Sequence, residues 1–226
     1  MIEAAAYILI GGQSRRFGSP KWKARIGNET VLNRILYSCK EFETQQLVGK
    51  YRPSEYKVPF IQDRHKIQAP IIGLHTALQQ SKHDWNLIIS CDLPLMTNSI
   101  MDRLWGKRKT GSDVIIPIVN DMLQTTCAFY HRKLLDLCKA GIQNNMLSLN
   151  DLVRASTYIE VDFSDQTDAF LNMNTQEDLV SIKKNFYDRS SGSAMKQSML
   201  LSIILSLTYG SISGESISEN ARVGKR

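Results

Sequence analysis

The stretch Tyr7-Ile-Leu-Ile-Gly-Gly-Gln-Ser-Arg-Arg-Phe-Gly-Ser-Pro-Lys21 runs from an apolar strand into a glycine-rich turn carrying two arginines and a lysine, with no carboxylate to neutralise them. A backbone that wraps phosphate oxygens must turn consecutive N–H groups toward one anion, which residues without a Cβ permit. Gly11, Gly12 and Gly18 supply that freedom, and Arg15, Arg16 and Lys21 supply the charge. The P-loop needs Gly-Lys adjacent and followed by Ser or Thr, and the dinucleotide fingerprint needs G-x-G-x-x-G; this spacing fits neither. It argues against an ATPase or a dehydrogenase and for a different nucleoside triphosphate cradle. A tight strand-to-helix turn with solvated basic side chains is the plainer alternative.

Outward from this turn, strand-length apolar runs alternate with helical patterns: Ala4 to Ile10, Val31 to Phe42, Gln46 to Tyr51, Ile71 to Gln80 and Asn86 to Ser90. Further strands are predicted at Val114 to Val119, Thr125 to Tyr130 and Tyr158 to Phe163. Helices are predicted around Lys133 to Ala140, Leu147 to Arg154 and Gln176 to Phe186. The order implies an α/β fold with a mostly parallel central sheet. Open sheets of this type bind ligands beyond the carboxyl ends of their strands, which would gather the Gly11 loop, Asp63 and Asp92 on one rim.

The 226 residues suit one α/β domain with an extension. Lysine and arginine exceed aspartate and glutamate, 28 against 22, and the net charge of +6 suits an anionic partner. No dense basic run selects nucleic acid. Cys39, Cys91, Cys127 and Cys138 lie too far apart for a C-x-x-C redox or zinc pattern, so reduced thiols in a cytoplasmic protein are expected. The start of the chain lacks the cationic segment of a secretory signal. After Tyr187 the composition shifts, so residues 1–187 read as the domain and 188–226 as an appended tail. The tail's apolar segment, Met195 to Tyr209, holds a core shorter than the ~20 residues needed to span a bilayer. A helix packing on the domain or on a partner and a disordered extension both remain open for it.

Three clusters outside the glycine loop carry chemistry. Phe60-Ile-Gln-Asp63 reads as a strand running into a polar loop. Guanine presents N1–H and its 2-amino group as adjacent donors that one carboxylate accepts together, so Asp63 is a candidate base reader; capping the following turn is the competing role. Trp85-Asn-Leu-Ile-Ile-Ser-Cys-Asp-Leu-Pro-Leu95 reads as a buried strand ending at Asp92. Magnesium takes one or two carboxylates plus phosphate oxygens, so a single fixed Asp beside a triphosphate loop suffices to hold it. The alternative for Asp92 is a helix N-cap, a role open also to Thr97 or Asn98. In Asp168-Ala-Phe-Leu-Asn-Met-Asn-Thr-Gln-Glu-Asp178, Asn172 and Asn174 share a side of an extended backbone, and Thr175 with Asp178 has the spacing of a capping box. Asn174 either completes a metal or phosphate shell or is structural. His65, His75, His83 and His131 show no metal-ligand spacing.

These motifs together, Leu9-Ile-Gly-Gly-Gln-Ser-Arg-Arg-Phe-Gly-x-x-Lys21, Gln68-Ala-Pro-Ile-Ile-Gly-Leu74, Cys91-Asp-Leu-Pro94, Val161-Asp-Phe-Ser-Asp165 and Phe170-Leu-Asn-Met-Asn-Thr-Gln-Glu-Asp-Leu179, resemble the molybdenum cofactor guanylyltransferase (MobA) family over residues 1–187. The resemblance implies a Rossmann-like nucleotidyltransferase fold with helices on both faces of the sheet. It also implies transfer of GMP from GTP to molybdenum-bearing molybdopterin, with Mg2+ as cofactor and pyrophosphate released. Carried onto this chain, Leu9, Ile10, Gly11 and Gly12 line the nucleotide site, Lys21 contacts the triphosphate, Asp63 reads guanine, and Asp92 binds both GTP and magnesium. Arg16, Gly18, Gly73, Asn172 and Asn174 match further functional positions of the family. Cofactor-insertion proteins would be the protein partners; nucleic acid and a membrane span are not expected.

Two departures stand out. The family often has asparagine where this chain has Gly49-Lys50, which is expected to weaken a nucleotide contact. A basic pair is replaced here by Gln143-Asn-Asn145, which bears on pterin recognition. A transferase using CTP or a sugar phosphate, and a non-catalytic nucleotide-binding adaptor, are the rival readings.

Overall fold

The computed structural model describes residues 1–11 and 16–188. Gly12 and Arg15 of the glycine loop, and the apolar segment from Met195 to Tyr209, lie outside the described residues. Met1–Lys183 form one compact unit and Lys184–Arg226 a second, of which only the first few residues are described.

In chain order the first unit holds β1 (Ile2–Leu9), the short pair β2 (Arg25–Ile26) and β3 (Glu29–Thr30), α1 (Val31–Ser38), β4 (Phe42–Gly49), β5 (Phe60–Gln62), α2 (Pro70–Gln80) and β6 (Trp85–Ser90). It continues with α3 (Asn98–Trp105), β7 (Val114–Val119), β8 (Met122–Leu123), β9 (Cys127–His131), α4 (Leu135–Gln143), α5 (Leu149–Arg154) and β10 (Tyr158–Asp162). A final helix, α6, spans 176–188.

The central sheet has the order β10-β7-β9-β6-β1-β4-β5, with β8 paired to the outer part of β7. Strands β5, β4, β1 and β6 run parallel, and β9 is inserted antiparallel between β6 and β7. The chain moves from β1 outward to β4 and β5, then returns to place β6 on the other side of β1. That reversal opens a crevice at the carboxyl ends of β1 and β6, the place where open α/β sheets hold ligands.

The sheet is covered on both faces, which is why β1 is apolar almost throughout: every residue from Ala4 to Leu9 is buried. Ala5, Tyr7 and Leu9 pack with Ile71, Leu74 and Leu78 of α2, Cys138 of α4 and Leu152 of α5. The opposite face carries α1 and α3, where Phe129 of β9 lies against Phe42 and against Trp105 of α3. No helix among the described residues is long and apolar enough to cross a membrane.

The two largest boundary differences from the sequence expectation lie between α1 and β4. The helical pattern from Val31 to Phe42 stops at Ser38, and Phe42 begins β4, ahead of the Gln46 start expected for that strand. The cause is local: β5 pairs only with Leu47, Val48 and Gly49, so the polar half of β4 from Glu43 to Gln46 has β1 on one side and no strand on the other. Polar residues are tolerated there, and they hide the alternation that marks a strand. The α1 start is conventional, with Thr30 Oγ1 accepting from the Asn33 N–H at 3.2 Å.

Candidate nucleotide site

Backbone pairing sets the rim. The Ile10 N–H donates to the Val48 carbonyl at 2.9 Å, Cys91 N–H to Leu9 at 3.1 Å, and Asp63 N–H to Gly49 at 2.8 Å. The residues just past β1, β4, β5 and β6 are thereby tied to one another before any side chain is considered. The same edge binds the segment ahead of α6, because the Met173 N–H donates to the Asp92 carbonyl at 2.8 Å.

Two glycines let the floor close. A Cβ on Gly73, in the first turns of α2, would lie 2.8 Å from Leu9 Cδ2, and one on Gly49 would lie 2.9 Å from Ile10 Cγ1. Over this floor opens a cavity of about 630 Å³ lined by Leu9, Gly11, Arg16, Lys21, Gly49, Lys50, Asp63, Gln68, Gly73, Ser90, Asp92, Thr126 and Asn174. That size suits a nucleotide-sized ligand, for which pockets of roughly 300–1,000 Å³ are usual. An adjoining cavity is lined by Ile10, Gly18, Trp22, Lys23 and Arg52, and shares Gly11, Lys50 and Gln68 with the first. Gly18 has φ of +78°, a conformation that glycine adopts without strain.

At one end of the cavity Lys21 emerges from a single helical turn opened by Pro20. Its Nζ donates to Asn174 Oδ1 at 2.7 Å and lies 3.8 Å from Asp92 Oδ2. Asn174 is held in turn by a reciprocal cap. Asp178 Oδ2 accepts from the N–H groups of Asn174 and Thr175, both at 2.8 Å, and Thr175 Oγ1 accepts from the Asp178 N–H at 3.1 Å. Those two backbone N–H donors hold the Asp178 carboxyl below its ordinary pKa. Gln176 Nε2 donates to the Phe17 carbonyl at 2.7 Å, fastening the far side of the glycine loop to the start of α6.

At the other end, Asp63 performs the turn-capping role foreseen as its alternative: Oδ1 accepts from the His65 N–H at 2.9 Å. It also faces the cavity, with Oδ2 3.0 Å from Lys50 Nζ. Asp92 is not a helix cap. Thr97 holds the N-cap position of α3, and its hydroxyl pairs with Ser99.

Of the expected site residues, Leu9, Gly11, Arg16, Lys21, Asp63, Gly73, Asp92 and Asn174 meet in the main cavity, while Ile10 and Gly18 line the adjoining one. Asn172 does not join them; it is exposed and lines neither cavity. Gly12 lies outside the described residues. Gln143 closes α4 and Asn145 follows with φ of +57°, also away from both cavities. Sequence reasoning missed Ser90, the last residue of β6, and Thr126, which reaches the rim because antiparallel β9 is inserted beside β6; the Ser90 N–H donates to the Thr126 carbonyl at 2.9 Å. Lys50, expected with Gly49 to weaken a nucleotide contact, lies in the cavity wall.

A magnesium ion has a place in this donor set. Asp92 Oδ1 is buried with no hydrogen-bond partner among the described residues, an acceptor left open beside the cavity. No group of three or more His, Cys, Asp or Glu side chains among the described residues forms an all-protein cage. One carboxylate completed by phosphate oxygens and water is the arrangement magnesium favours with nucleotides. Burial, and then the neighbouring Asp92 charge, push the Cys91 thiol up to about 12, so it offers no thiolate here.

Residues 6–157 match the MobA-like NTP transferase domain, two thirds of the chain and every strand of the rim. The chain belongs to the MobA-like NTP transferase family. Among its relatives within that family is a "Probable molybdenum cofactor guanylyltransferase" of Bacillus subtilis (strain 168), 30% identical over 196 residues, covering 78% of this chain and 93% of the relative. The fold is that of the molybdopterin-guanine dinucleotide biosynthesis protein A from Archaeoglobus fulgidus (TM-score 0.70, 21% identity, 81% of this chain and 99% of that one). It is also that of the 2-C-methyl-D-erythritol 4-phosphate cytidylyltransferase from Thermus thermophilus (TM-score 0.61, 11% identity, 80% and 98%). As a MobA-like protein the chain is a nucleotidyltransferase with a Rossmann-like fold.

Proposed function

We propose that this chain transfers GMP from GTP to the terminal phosphate of molybdenum-bearing molybdopterin, forming the guanine dinucleotide cofactor and releasing pyrophosphate. The observation that supports this most is the convergence of Lys21, Arg16, Asp92 and Asp63 on one cavity at the switch point of the sheet. Cations at one end suit a triphosphate, and a paired carboxylate at the other suits a base with adjacent donors. The name carried by relatives such as the Bacillus subtilis protein points to the same reaction.

The chemistry is an in-line displacement. A phosphate oxygen of molybdopterin forms a bond to the α-phosphorus of GTP, and the bond from that phosphorus to the bridging oxygen of the β-phosphate breaks. No covalent enzyme intermediate is required. The attacking monoester is mostly ionised at neutral pH, its second pKa being near ~6, so no side chain need remove a proton. What the protein supplies is proximity of two anions and neutralisation of their charge. Lys21, steadied by Asn174, and Arg16 face the departing pyrophosphate; the backbone around Gly11 cradles the phosphates. Asp92 would hold Mg2+, which when bound neutralises phosphate oxygens. Asn172, Gly12 and Gly18 remain candidate contributors to phosphate or pterin binding.

We place the reaction in the cytoplasm, where the free thiols stay reduced, with cofactor-insertion proteins as recipients of the product. The test is incubation of the full chain with Mg2+, molybdopterin and labelled GTP, CTP or ATP. The guanine dinucleotide product and pyrophosphate are expected from GTP alone. Equal product from CTP would overturn the base assignment, and nucleotide binding without any product would favour a delivery adaptor.

A further inference from the structure

Lys50 stands in the cavity wall beside the proposed base reader. Its Nζ is 3.0 Å from Asp63 Oδ2 and also donates to the His65 carbonyl. An ammonium has three N–H donors, and these two partners take two of them. Asp63 is likewise half engaged: a carboxylate offers about four lone-pair positions, of which Lys50 and the His65 N–H occupy two. The Lys50 and Asp63 side chains are mostly buried, 21% and 12% exposed, so their remaining valences face the cavity more than bulk water.

The pair therefore presents one donor next to two acceptors. The guanine edge carries the complement: O6 as acceptor, then N1–H and the 2-amino group as donors. Adenine offers a donor where Lys50 stands and an acceptor where Asp63 stands, and cytosine sets two acceptors against the carboxylate. We propose that Lys50 is a specificity residue that donates to guanine O6 while Asp63 accepts from N1–H and the 2-amino group. The inference rests on the GTP reading above and adds to it the reading of O6. The side chain expected to weaken the site is instead its second base contact.

The experiment is titration calorimetry of the full chain with Mg2+ and nucleotides, with no pterin needed. Two analogues separate the contacts: ITP lacks the 2-amino group read by Asp63, and 6-thio-GTP replaces O6 by a poor acceptor while keeping both donors. Losing one charge-assisted hydrogen bond weakens binding ~10- to 100-fold, so wild type should prefer GTP over each analogue by about that factor. In Lys50→Met the preference over 6-thio-GTP should fall to near unity while the preference over ITP persists; Lys50→Arg, which keeps a donor, should restore the first. Wild type that binds 6-thio-GTP as tightly as GTP overturns the proposal without any variant. Parallel loss of both preferences in Lys50→Met also overturns it, because Lys50 would then only hold Asp63 in place. Wild type that binds GTP no tighter than ATP and CTP overturns the guanine reading itself, and that failure is visible before Lys50 is touched.

Discussion

Lys21 Nζ donates a 2.7 Å hydrogen bond to the Oδ1 of Asn174, 153 residues further along the chain. The contact joins the outgoing limb of the glycine loop to the segment that leads into α6. A lysine aimed at phosphate otherwise loses rotamer freedom when it meets its ligand; one already held by an amide oxygen has lost part of it beforehand. Lys21→Ala should lower the transfer rate ~10²- to 10³-fold, as removal of a transition-state donor does. Asn174→Ala should cost roughly tenfold, within the range of a hydrogen bond to a charged group. Because both act on one ammonium, Asn174→Ala should cost almost nothing further in the Lys21→Ala background. Single-turnover rates of the three variants check this, and additive losses would separate the two residues.

The cap behind Asn174 predicts a pH response. Hydrogen bonds from Asn174 and Thr175 N–H groups lower the Asp178 pKa below its ordinary 3.8. A carboxyl with a depressed folded pKa gives stability that is present above the unfolded pKa and lost as pH falls through the folded one. Wild type should therefore lose this contribution below about pH 4, and Asp178→Asn should melt lower at neutral pH with a shallower further decline in acid. Melting temperatures from pH 7 to 3 test it. The carboxylate is solvent-facing, so the effect is small and salt-sensitive.

Much of this arrangement was legible in the chain. Glycine spacing with three nearby cations excluded the commoner phosphate folds, and the buried run ending at Asp92 fixed one edge of the crevice. The capping box was readable because Thr175 and Asp178 interact over one helical turn. What escaped depends on distant pairing. Nothing local to Thr126 marks it as a rim residue, since it arrives there only through the antiparallel insertion of β9 next to β6. Asn172 is a different case: alternation in an extended segment groups it with Asn174, yet only Asn174 lines the cavity, where its amide oxygen accepts from Lys21. The Lys50–Asp63 pair escaped for the same reason as Thr126: 13 residues separate the two in the chain, and only the pairing of β4 with β5 brings them together.

The glycine in α2 gives a separable test of packing and binding. Gly73→Ala gains about 1 kcal/mol of helix propensity. Its Cβ, 2.8 Å from Leu9 Cδ2, forces the leucine aside at an overpacking cost of roughly 1–3 kcal/mol. The two terms partly offset, leaving a net loss of about 0–2 kcal/mol, so the melting temperature should fall by only a few degrees. Leu9 also lines the cavity and is otherwise packed in the core, so its displacement should reshape the cavity wall and nucleotide affinity should fall well beyond what stability predicts. Calorimetric GTP binding alongside thermal melting checks both halves.

The thiols supply a test of the fold. Cys39, Cys91, Cys127 and Cys138 are free and buried. Burial pushes Cys39, Cys91 and Cys138 up to about 12, and Cys127 is raised further in the same direction. Thiolate is the reactive form, so a disulfide reagent at pH 8 should find no rapidly reacting cysteine in the folded chain and all 4 after denaturation. Rapid labelling of Cys91 in particular would mean that the Asp92 rim opens to solvent.

Asp92 carries the most demanding prediction, because three of its features point to different costs of removal. Its carbonyl accepts from Met173, its Oδ2 stands 3.8 Å from Lys21, and its Oδ1 is buried without a partner among the described residues. The carbonyl contact survives any side-chain change, so Asp92→Asn should keep the fold and the placement of the segment before α6. Unpaired burial of a carboxylate oxygen is costly, so removing the charge should leave thermal stability unchanged or slightly raised in the absence of ligand. Turnover should behave oppositely. If Asp92 anchors magnesium at the triphosphate, the variant loses ~10²-fold or more in rate and does not recover at saturating magnesium. The ligand-dependent rise in melting temperature that Mg2+ and GTP together give wild type should also disappear. Stability held while turnover and this linkage vanish identifies a carboxylate kept for a cation; near-wild-type turnover at high magnesium would defeat the metal assignment and leave Asp92 as a partner of Lys21 alone.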